Sequence, residues 1–72
     1  MSAQRIIWVS PVASGWAVVC AGIEPLVFRS GGRAEAQARR LATCLAQLGR
    51  AVQVRILDRA SNLVGAQLYP AA

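Results

Sequence analysis

Residues 33–57 read RAEAQARRLATCLAQLGRAVQVRIL, and within this stretch the spacing of the apolar side chains changes once. Ala34, Ala38, Leu41, Leu45 and Leu48 recur at i, i+4, i+7, i+11 and i+14, which lines them along one stripe of an α-helix. Glu35 precedes Arg39 by four residues, the favourable orientation for a helix-surface ion pair worth about 0.2–0.5 kcal/mol. Ser30 is the candidate cap and Gly31-Gly32 loosen the approach, so the helix is expected to begin between Ser30 and Arg33. Gly49 supplies a left-handed stop, and Arg50 beside it suits the negative pole of the helix dipole. Beyond this stop Val52, Val54 and Ile56 alternate with Gln53, Arg55 and Leu57, the period of two that marks a strand with one face turned inward.

Toward the N-terminus, residues 5–10 (RIIWVS) are rich in β-branched and aromatic side chains and are halted by Pro11, followed by turn residues up to Gly15. Residues 15–21 (GWAVVCA) form a second apolar run ended by Gly22. Residues 26–29 (LVFR) form a third, after the connection Ile23-Glu24-Pro25. Joints this short favour an antiparallel meander, because parallel neighbours need a longer crossover. On the other side of the decisive stretch, Ala60-Ser61-Asn62 reads as a turn in which Asn62 tolerates a positive φ. Residues 63–69 then return as a fifth strand before Pro70. The expectation is an α+β domain over residues 1–72, ordered β-β-β-α-β-β, with an antiparallel sheet and one helix packed on one face.

Four groups of residues carry a family resemblance: Val9-Ser10-Pro11, Gly15-Trp16-Ala17-Val18, Ala34-Glu35-Ala36 and the hairpin from Val52 to Val64. In this order they resemble the DUF2188 family of small bacterial proteins, and the likeness spans most of the chain. The chain departs from the family pattern at Gly31-Gly32, where Asp-Thr is usual, and at Asn62, where a turn glycine is usual. Val19 and Ala21 stand where charged residues are common, which implies a drier second sheet face that meets another subunit. The family has no established activity, so the resemblance implies a fold and leaves the function open.

A chain of 72 residues makes one domain and buries only about 60% of the surface its unfolded form exposes. The apolar share of 56% is high enough to furnish both faces of a sheet or a subunit interface, which favours a homo-oligomer. The net charge of +5 comes wholly from arginine, set against Glu24, Glu35 and Asp58. Such a balance suits an anionic partner. The lack of lysine beside abundant Ala, Gly and Val is also what a compositionally biased genome produces. No run approaches the length of a membrane span and the N-terminus lacks a signal-peptide pattern, so the expected location is the cytoplasm. Cys20 and Cys44 are far apart, with no CxxC and no histidine, so neither a zinc site nor a Cys–His nucleophile pair is expected, and both read as buried small apolar residues.

Three carboxylates, no histidine and no lysine leave little material for acid–base or nucleophilic catalysis. The expectation is therefore no enzyme, no cofactor and no metal. Gly31-Gly32 before a helix, flanked by Arg29 and Arg33, has some of the makings of a phosphate site, but no Walker lysine or GxGxxG accompanies it and a plain loop is the better reading. Arg33 and Arg40 fall on one helix flank with Gln47 continuing the line, while Arg39 and Arg50 lie on the far side. Gln53 and Arg55 point away from the apolar face of their strand, and with Trp8 or Arg5 beside them would form an arginine–aromatic surface. The sequence does not fix the face of Trp8, because Ile6 and Trp8 alternate with Ile7 and Val9 and both sets are apolar. Two functions remain. One is a self-associating binding or assembly module that meets a protein partner or its own copy through Trp8, Val19 and Ala21. The other is a nucleic-acid-binding accessory protein using Arg33, Arg40, Gln47 and Arg55.

Overall fold

The computed structural model describes residues 5–72. Its elements are β1 (Arg5–Val12), β2 (Gly15–Cys20), β3 (Ile23–Phe28), α1 (Gly31–Gln47), β4 (Val52–Leu57) and β5 (Leu63–Tyr69). The order β-β-β-α-β-β and the single helix on the sheet are those expected. The strands form one sheet ordered β3-β2-β1-β4-β5. Its outer pairs are antiparallel, whereas the central pair, β1 with β4, is parallel. The antiparallel sheet expected from the short loops is thus mixed. β3 runs in the direction of β1, and α1 carries the chain back across the sheet, so β4 starts at the same end as β1 and lies alongside it.

Backbone direction explains where the prolines are tolerated. The Arg5 N–H donates to the Ala51 carbonyl at 3.2 Å, so odd-numbered residues of β1 aim their backbone groups at β4. The N–H that Pro11 lacks therefore faces β4 beyond Val9, the last β1 residue paired with it, and β1 runs past Pro11 to Val12. The same alternation aims Pro25 away from the sheet. Ile23, Glu24 and Pro25, read as a connection, consequently belong to the edge strand β3.

The helix boundaries follow the capping chemistry. The Ser30 hydroxyl accepts the Arg33 N–H at 3.1 Å, an N-cap worth about 1 kcal/mol. At the other end the Gly49 N–H donates to Ala46 and the Arg50 N–H to Leu45, each at 3.0 Å, with Gly49 at φ +87°. This is the paired closure that only a left-handed residue permits.

The buried face of α1 differs from the expected stripe. Ala34, Ala38 and Ala42 are fully buried and Ala46 nearly so, whereas Leu41 and Leu45 are half-buried at the flanks. Leu48 is 75% exposed at the C-cap. Small side chains let the helix axis lie close on the β-branched Ile7, Val9, Val52 and Val54, and the leucines then straddle its edges. Cys20 joins this core as expected, but Cys44 lies on the exposed back of α1. In the β4–β5 turn the Asp58 carboxylate accepts the N–H groups of Ala60 at 2.9 Å and Asn62 at 3.0 Å. Folding the backbone around Asp58 puts Ser61, not Asn62, at positive φ.

Candidate binding face

The helix covers one side of the sheet, and the other side is built by the alternate residues of every strand. Ile7 and Val9 are buried under the alanine stripe, and side chains alternate along a strand, so Ile6 and Trp8 face away from the helix. This settles the face of Trp8. The cross-strand register then lines up Val19, Trp8, Arg55 and Ala66 on β2, β1, β4 and β5. A neighbouring row holds Ile6, Gln53 and Leu68, and another holds Val27, Ala17 and Ser10.

Trp8 and Arg55 are the centre of this face. The Arg55 guanidinium lies 5.1 Å from the Trp8 ring centroid, and its Nε donates to Gln53 Oε1 at 2.7 Å. A cation stacked on an indole is held by the ring quadrupole at about 0.5–1 kcal/mol where solvent reaches it. Held from two sides, Arg55 presents a flat, pre-oriented group. The arginine–aromatic surface expected for Trp8 and Arg55 is therefore formed, while Arg5 reaches instead toward the Ala21 carbonyl at 3.4 Å.

The other candidate residues separate. Arg33, Arg40 and Gln47 are exposed on α1, on the opposite side of the sheet from Arg55, so the four form no single surface. Arg40 and Gln47 share a shallow depression on the helix back with Arg39, which bonds Glu35 in the expected ion pair. Val19 is the direct partner of Trp8, whereas Ala21 lies in the turn after β2 and outside the face. Sequence reasoning missed Val27 and Leu68, which are 57% and 53% exposed; their pairing with Ala17 and Gln53 is a product of strand order, which no local pattern announces. A second arginine–indole pair, Arg59 at 4.8 Å from the Trp16 centroid, sits at the helix side near the capped start of α1.

The fold and face define a small α+β domain with one helix on a mixed five-stranded sheet and a largely apolar second side that no other element of the described residues covers. No protein-family model, no curated protein and no solved structure matches the chain. Among the described residues no group of three or more His, Cys, Asp or Glu side chains is placed to hold a metal ion, and no helix is long and apolar enough to cross a membrane.

Proposed function

We propose that the chain is a non-enzymatic binding and assembly module that self-associates through the helix-free face of its sheet. The observation that supports this reading is the composition of that face. Ile6, Trp8, Val19, Val27 and Leu68 lie together on this face, with no helix or strand among the described residues packed over them. A sheet apolar on both sides needs two covering layers, and one helix supplies one. Tryptophan and arginine are also the side chains that most often dominate the energetics of protein contacts, and a guanidinium flattened on an indole is easier to dehydrate than an ammonium.

The reading as a non-enzyme draws on the absence of histidine and lysine and on the occupation of Glu35 by Arg39 and of Asp58 by its own turn. The free thiols Cys20 and Cys44 suit a reducing compartment, and we place the protein in the cytoplasm. Kinship with the DUF2188 family belongs to the same proposal and adds no activity to it.

Val19→Lys tests the face. Wild type is expected to show a multimeric mass by light scattering that does not change between low and high salt, and the variant is expected to show half that mass while keeping its circular dichroism. A folded variant of unchanged mass contradicts the reading.

One observation favours a second reading. The Arg55–Trp8 stack is also a platform on which a nucleic-acid base could lie, with phosphate neutralised nearby. On that reading an oligonucleotide binds with an affinity that falls steeply with salt, and Arg55→Ala abolishes the binding without altering the mass of the free protein.

A further inference from the structure

Among the described residues, apart from Leu48, every strongly exposed large apolar side chain lies on an edge strand: Ile23, Leu26 and Val27 on β3, and Leu63, Val64 and Leu68 on β5. The two edges differ in kind. β3 carries Glu24, a proline that aims its missing N–H outward, and a register irregularity between its neighbours Val18 and Cys20. These features blunt an edge against pairing. β5 has neither charge nor proline within Leu63–Tyr69, and its one irregularity is confined to the Leu63 end.

The backbone direction of β5 is fixed by the rest of the sheet. Since odd residues of β1 aim at β4, Val52, Val54 and Ile56 aim at β5, and their partners Tyr69, Gln67 and Gly65 aim back. Ala66 and Leu68 therefore direct their N–H and C=O groups away from the sheet.

We propose that β5 pairs antiparallel with β5 of a second copy, joining two sheets into one continuous sheet. The regular part of the strand runs from Gly65 to Tyr69 and has Gln67 at its middle. A two-fold axis at Gln67 sets Ala66 opposite the second copy's Leu68, each pair exchanging both N–H···O bonds, and Tyr69 opposite Gly65. The tyrosine ring then covers the bare glycine backbone. The occupant is a second copy for two reasons. The strand is self-complementary in this register, as an isologous contact requires. It is also a stretch where chains of net charge +5 meet without opposing charged side chains on the paired strands. Pairing of this hand puts both helix-free faces on the same side.

This inference rests on the self-association reading and adds a second contact to it. Both contacts together close a dihedral tetramer. Ala66→Pro removes an outward N–H that β4 does not use, so the fold is expected to survive and the light-scattering mass to fall by half. In a Cys44→Ser background, Gln67→Cys is expected to cross-link to its own copy on mild oxidation, since a directly opposed, non-hydrogen-bonded pair has Cα atoms about 4.5 Å apart, within disulfide reach. Thr43→Cys, exposed on the helix back, serves as the control that stays uncross-linked. Wild-type mass in folded Ala66→Pro, or no cross-link at Gln67→Cys, overturns the edge contact. If Ala66→Pro fails to fold, the cross-link alone decides. Half mass for Ala66→Pro with full mass for Val19→Lys keeps the edge and removes the face; the reverse pattern does the opposite.

Discussion

Gly15→Ala is expected to be strongly destabilising, by about 4 kcal/mol or more. Gly15 opens β2 at φ +149°, where an L side chain is strained, and it is buried against the end of β3. A Cβ there would stand 2.1 Å from the Phe28 carbonyl oxygen and 3.1 Å from the Arg29 Cα. Both obstacles are backbone, so neither can swing aside as a side chain would. The β1–β2 turn or the β2–β3 pairing must open, at a cost on the order of 4 kcal/mol or more. A domain of this size has a total stability of about 4–11 kcal/mol, so the loss takes from about a third of it to all of it. Gly22 is the matched comparison: it also has positive φ, +80°, but open space around it, and Gly22→Ala should cost only about 1 kcal/mol. Urea denaturation of the two variants measures the difference, and equal losses would contradict the account of Gly15.

Ala38→Leu is expected to destabilise more than Leu45→Ala. Ala38 has no exposed surface and sits at the middle of the stripe that rests on β1 and β4. Three added carbons force the helix off the sheet, which costs about 3 kcal/mol. Leu45 is half-buried at the flank, and its truncation removes about half the burial of a fully buried side chain, worth about 1–2 kcal/mol. A helix packed on its leucines would give the opposite ranking, so the order of the two denaturation midpoints discriminates between the packings.

That ranking shows what the sequence leaves ambiguous. The helix, its Ser30 cap and its Gly49 stop are legible because each depends on neighbours within a few residues. The alanine stripe is not, since Ala34 and Ala38 fit both the leucine-centred and the alanine-centred arcs. Only the depth available above Ile7 and Val54 chooses between them. The same limit applies to β1, where Ile7 and Trp8 are equally apolar and the choice of inward face is made by what the helix can admit. Strand order is wholly non-local. Nothing in the spacing of Trp8 and Arg55 announces that β1 and β4 lie side by side and in parallel, yet that adjacency creates the central pair of the face. Conversely, the line from Arg33 through Arg40 to Gln47 is real on the helix but stands on the wrong side of the sheet to join Arg55.

Self-association is tested by the light-scattering mass of the purified wild-type protein, at low and high salt, with and without a mixed DNA/RNA oligonucleotide. A multimeric mass that ignores both salt and oligonucleotide is the predicted result. A monomer at all concentrations would contradict self-association as the role of the helix-free face, and a mass that rises with oligonucleotide at low salt and falls back at high salt would favour Arg55 and Trp8 as a nucleic-acid site instead.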